Sequence, residues 1–140
     1  IITRLNELKN NKIFVKFKKR PQKKYLINKY KNVFPIWCNR DANEQVRNCQ
    51  IGITFNSITF YEMLSSEMLL IIPRFLDAAL PNNLMQLGTM EIEGLETVKY
   101  AHSFEELIEI INSIDLNQLE TDLKKDRAAR LRIIENAFYV

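Results

Sequence analysis

Hydrophobic positions along the chain fall into short continuous runs that alternate with stretches of helical spacing. "NKIFVKF" (11–17) and "QIGITF" (50–55) read as strands. "MLLII" (68–72) is the unbroken apolar run that a strand buried on both faces of a parallel sheet requires, and Pro73 is expected to stop it. "NVFPIWC" (32–38) reads as an extended segment made irregular by Pro35, and "ETVKYA" (96–101) as a weak last strand. Helical spacing appears in "QKKYLINKYK" (22–31), over 58–66, and in a short stretch over 81–87. Asp41 with Glu44 has the form of a capping box that opens a short helix ending near Cys49. Ser103 with Glu106 forms a second such box, opening "FEELIEIINSI", and 116–139 reads as a long, charged, amphipathic helix. Strands alternating with helices imply parallel pairing through right-handed crossovers. The expected fold is a three-layer, doubly wound, Rossmann-like α/β sandwich with a mainly parallel sheet and a long final helix.

Length and composition fit that picture. A chain of 140 residues suits one domain over 1–140, and 46% hydrophobic with 26% charged residues is a globular balance. No apolar run approaches the ~18 residues of a membrane span, so the chain is expected in the cytoplasm. Cys38 and Cys49 have neither metal-ligand spacing nor a disulfide framework and read as packing residues. Residues 1–9, "IITRLNELK", begin without Met and read as a helix already under way, so a piece of a longer protein is expected.

Charge changes the picture more. The net charge is +3, yet residues 8–40 carry eleven Lys and Arg with no acid, whereas 41–140 carry eight basic and sixteen acidic residues. So one-sided a segment attracts anions. Lys16, Lys18, Lys19 and Arg20 directly follow the apolar stretch "KIFV" (12–15), where a loop should leave the sheet. In doubly wound sheets ligands sit outside the carboxyl ends of the strands. The loops expected there are "KKRP", "CNRD", the Asn56-Ser57 pair and "PRFLDAALPNN". They would gather positive charge, Trp37, the hydroxyls of Ser57 and Thr59, and the unpartnered first amides of a helix, a natural anion site. Ser57 as a simple helix cap fits the pattern equally well.

"NSITFYEMLSSEMLLI" (56–71) resembles, without gaps, the segment "NSTVGLEALLLGKPVI" of bacterial GT-B glycosyltransferases that build capsule and lipopolysaccharide sugars. "VKFKKRP" is similar to that family's strand ending in Lys-x-His-Pro, "VFPIWCNRDANEQVRNCQIGIT" to its extended segment, short helix and following strand, and "SFEELIEII" to its late helix. The family's His is replaced in the stretch holding Lys18 and Lys19, its Gly before the Glu by Phe60-Tyr61, and its Gly-Lys-Pro turn by Glu67-Met68-Leu69.

The resemblance implies the nucleotide-sugar-binding, carboxyl-terminal half of a two-domain transferase that moves a sugar onto a surface-glycan or lipid-linked acceptor, working at the inner face of the membrane. It implies Ser57 and Thr59 at the donor diphosphate with Lys16 and Arg20, Glu62 at the ribose hydroxyls, and Trp37, Cys38 and Asn39 flanking the base. The acceptor site and catalytic base would belong to a preceding domain. No metal or cofactor is implied; the nucleotide sugar is the substrate. The chemistry suits those residue types: a departing nucleoside phosphate gains negative charge, which donors and cations aimed at it stabilise, and a carboxylate accepts two hydroxyl bonds.

Two alternatives use the same residues. A nucleotide-sugar 2-epimerase shares the architecture. A phosphate- or nucleic-acid-binding module would use the basic stretch with Tyr25, Tyr30, Phe34 and Trp37, although base-stacking platforms usually lie on open sheets. His102 reads as a surface residue, Glu105, Glu106 and Glu109 as dipole-favouring acids, and Met63, Met68, Met85 and Met90 as core fillers.

Overall fold

The computed structural model describes residues 8, 49–54, 59–75, 92 and 94–138. The chain separates into two units, Ile1–Gln45 and Val46–Val140, and every element below belongs to the second. Expectations for 11–17, 22–31, 32–38, the Asp41 helix and 81–87 fall outside the described residues.

Among the described residues three strands form one sheet in the order β1 (Ile51–Ile53), β2 (Leu69–Pro73), β3 (Val98–Ala101), all parallel. Helix α1 (Thr59–Ser65) joins β1 to β2, and α2 (Phe104–Asn112) and α3 (Leu116–Phe138) follow β3. Ile51 pairs with Leu69, and Leu70 with Val98. Every residue of β2 is buried, which is why its sequence is apolar without alternation. The fold is therefore α/β, with a parallel sheet flanked by helices and a long charged last helix.

β2 ends at Pro73 as expected, with the proline itself as the last residue of the strand, paired with Ala101. The amides of β2 alternate in direction: Leu69 N donates to Gln50 O at 2.9 Å, whereas Leu70 N and Arg74 N donate toward β3, to Thr97 O and Ala101 O. Pro73, in phase with Leu69, would aim its absent N–H toward the β1 side, and β1 ends at Ile53, opposite Ile71. The proline thus deletes no bond of the described ladder.

The main core joins Phe60 and Leu64 of α1 to Met68, Leu70, Ile72 and Val98, with Ile133 and Ile134 of α3 packed against it. Phe60 and Leu64 stand one turn apart, so the short helix buries one stripe. Gly52 of β1 faces this region: a Cβ there would lie 2.7 Å from Met68 Sδ and 2.8 Å from Met63 Sδ. Met63 and Met68 are core fillers as expected, while Met85 and Met90 lie outside the described residues. Cys49 also packs, half-buried, against the core.

The capping expectation at α2 holds on its serine side. Ser103 has extended backbone and its Oγ accepts from Glu106 N at 3.1 Å. Glu106 reaches back one residue further than the standard box, accepting from His102 N at 2.7 Å. Phe104, Leu107 and Ile111 form the buried stripe of α2. Asp115 opens α3 by accepting from Asn117 N and Gln118 N. Among the described residues no helix is long and apolar enough to cross a membrane.

Candidate functional site

The carboxyl ends of β1, β2 and β3 point the same way because the strands are parallel. Beyond them lie Thr54, Arg74 and His102, and α1 starts at Thr59 after β1 has ended. Of the residues singled out from sequence, Thr59 is the first of α1, and Glu62 sits half-buried in its first turn. Lys16, Arg20, Trp37, Cys38, Asn39 and Ser57 lie outside the described residues.

Arg74 is a cation at this edge that sequence reasoning passed over inside "PRFLDAALPNN". Its backbone N donates to Ala101 O at 2.7 Å, and its guanidinium lies 4.2 Å from the centre of the Tyr100 ring. That stacking is a cation–π contact between the ends of β2 and β3. Tyr100 is itself oriented, its hydroxyl accepting from Ile92 N at 2.6 Å. The signal was present in the sequence as a basic residue directly after a buried strand. His102 is exposed and its Nδ1 stands 3.3 Å from Glu106 Oε2, an exposed pair of little energetic weight.

A second constellation lies on α3. Its buried residues are Leu119, Asp126 and Arg130, which the helical period aligns in one stripe, two of the three being charged. Asp126 Oδ2 accepts from Thr97 N and from Thr97 Oγ1, each at 2.8 Å. Arg130 Nη1 donates to the same Thr97 Oγ1 at 2.9 Å, so the hydroxyl relays between cation and carboxylate. The remaining guanidinium bonds go to Leu64 O, Met68 O, Met63 O and Ser66 O, at 2.8–3.1 Å. Arg130 therefore caps the carbonyl end of α1, whose last turn contains no basic residue of its own. Burial lowers the Arg130 pKa from its usual value, while Asp126 and then Glu67 pull it back up.

Ser65, the last residue of α1, and Ser66 just after it add to this. Ser65 Oγ and Ser66 Oγ both donate to Glu62 O, at 2.8 and 3.0 Å, bonds that compete with continuation of the helix. Arg127 makes an exposed 2.7 Å ion pair with Glu67 just beyond. Among the described residues no group of three or more His, Cys, Asp or Glu is placed to hold a metal ion.

No protein-family model matches this chain, and searches of curated proteins and of solved structures return no significant match.

Proposed function

We propose that this chain is the donor-binding half of a GT-B glycosyltransferase, holding a nucleotide sugar for transfer to a surface-glycan or lipid-linked acceptor. The observation that carries the reading is the junction after β1: a parallel strand, a connection containing Asn56-Ser57, and a helix beginning at Thr59 with Glu62 half-buried in its first turn. The junction coincides with the segment that resembles those enzymes, and the carboxyl end of a parallel strand is where doubly wound folds bind ligands. The sheet of this reading is Rossmann-like and doubly wound. Ser57 and Thr59 would meet the diphosphate and Glu62 the ribose, while Lys16 and Arg20 keep the phosphate-binding role, and Trp37, Cys38 and Asn39 the base-flanking role, that the resemblance implies. Arg74, stacked on Tyr100, adds positive charge to the edge that the departing nucleoside phosphate would face. On this reading the chain binds the donor, while the acceptor and the catalytic base come from a partner domain.

Thermal unfolding with UDP, CDP, GDP and CMP, each against its nucleoside, tests this. A nucleotide at about 100 times its Kd should add ~2.7 kcal/mol to the unfolding free energy, and its nucleoside much less. Equal shifts from nucleotide and nucleoside would remove phosphate recognition from the proposal.

A further inference from the structure

We infer that Arg130, on α3, is a positioning residue for Glu62, on α1. The inference rests on the nucleotide-binding reading above. An α1 of seven residues is under two turns and too short to hold its own geometry. Arg130 supplies what the helix lacks. Its five N–H groups make five bonds: Nε to Leu64 O, Nη1 to Met68 O and Thr97 Oγ1, Nη2 to Met63 O and Ser66 O. A guanidinium so fully engaged has no donor left for a ligand, so any effect on binding must pass through α1.

The anchored carbonyls begin one residue after Glu62, whose own carbonyl takes the hydroxyls of Ser65 and Ser66. A planar fork bound at several carbonyls fixes both the advance and the rotation of a helix end. Without it, a slip of one residue would turn Glu62 by roughly 100° and shift it ~1.5 Å along the axis. Either displacement exceeds what a pair of hydroxyl hydrogen bonds tolerates. Thr97 and Asp126 orient the fork in turn, through the bond that Thr97 Oγ1 accepts from Arg130 and the one it gives to Asp126. Lysine cannot reproduce this, because its ammonium is a point charge with three donors at one place.

The test is a binding cycle on the full chain. Affinities for UDP, CDP, GDP and CMP, and for inorganic pyrophosphate, are measured by calorimetry at a temperature where circular dichroism shows each variant folded. Arg130→Lys should weaken the nucleotide that binds by about tenfold, as Glu62→Gln should, and change pyrophosphate less than about twofold. In the double variant the losses should not multiply, because residues acting as one unit are not additive. Leu107→Ala, buried in α2, controls for lost stability and should keep nucleotide affinity. Thr97→Val, which keeps the arginine and its carbonyl bonds, should show the same selective loss, on the order of threefold, and serves if Arg130→Lys does not fold. Unchanged nucleotide affinity in a folded Arg130→Lys or Thr97→Val, multiplying losses, or an equal loss in Leu107→Ala overturns the positioning role. A wild-type chain that binds none of the nucleotides overturns the donor-binding reading, and the positioning role with it.

Discussion

Asp126 and Thr97 are joined by two hydrogen bonds of 2.8 Å, one from the threonine amide and one from its hydroxyl, both to Oδ2. The pair links α3 to the residue immediately before β3, and Arg130 extends the link to the end of α1. Removing the carboxylate should therefore be felt well beyond one contact. Asp126→Ala leaves two buried donors unmatched and a buried cation without its counter-charge, and should cost about 3–5 kcal/mol. Asp126→Asn keeps the shape and one acceptor and should cost less, about 1–3 kcal/mol. Urea denaturation monitored by far-UV circular dichroism gives both values. A loss below about 0.5 kcal/mol for Asp126→Ala would mean that the network contributes no stability.

Gly52 offers a steric test. With Met68 Sδ 2.7 Å and Met63 Sδ 2.8 Å from an added Cβ, Gly52→Ala should cost about 1–3 kcal/mol through crowding. Shortening Met63 to alanine in the same chain should recover part of that loss, so the double variant should be less unstable than the two single losses predict. Additive losses in the denaturation curves would assign the cost to something other than this contact.

At α2, the cap and the ion pair should separate cleanly. Ser103→Ala removes the acceptor for Glu106 N and should cost about 0.5–2 kcal/mol. His102→Ala removes only the exposed partner of Glu106 and should cost under ~1 kcal/mol. Thermal midpoints of the two variants, measured side by side, would contradict this if the histidine change proved the larger.

On the proposed function, Lys16→Gln and Arg20→Gln should each weaken nucleotide binding by about tenfold or more, the loss of a charge-assisted bond to phosphate. Neither should lower the unfolding midpoint of the ligand-free chain, since the proposed role of both is in binding phosphate and not in folding. Unchanged affinity in both would remove these residues from the proposed phosphate site.

The elements of the second unit were legible wherever burial follows hydrophobicity. The continuous run at 68–72 reads correctly as β2, because a strand covered on both faces shows no alternation to confuse with a helix. Ser103 and Glu106 reveal α2 because capping chemistry is local. Pro73 marks the end of β2 as expected; that it still pairs with Ala101 was not legible, since its compatibility with the sheet depends on where a neighbouring strand ends. The Asp126–Thr97–Arg130 network had no signature at all. Its partners lie 29 and 33 positions apart, and on a helix rich in charge two inward-facing charged residues look like any others. In the candidate site, Thr59 and Glu62 belong to α1 as the periodicity of 58–66 suggests. Arg74 was hidden in a stretch whose other residues gave no pattern, and only its stack on Tyr100 marks it out.

The bond from Arg130 to Leu64 O spans 66 positions, which gives it a meaning in time. A ribosome adding ~5–20 residues per second would release the end of α1 roughly 3–13 seconds before the arginine that completes it. For most of that interval the nascent chain holds β1, α1 and the β2 that follows them without their clasp, their apolar run exposed to whatever chaperones attend it. Translation pauses between Leu64 and Arg130 would lengthen the exposure, so codon usage over that stretch should bear on yield more than codon usage after it.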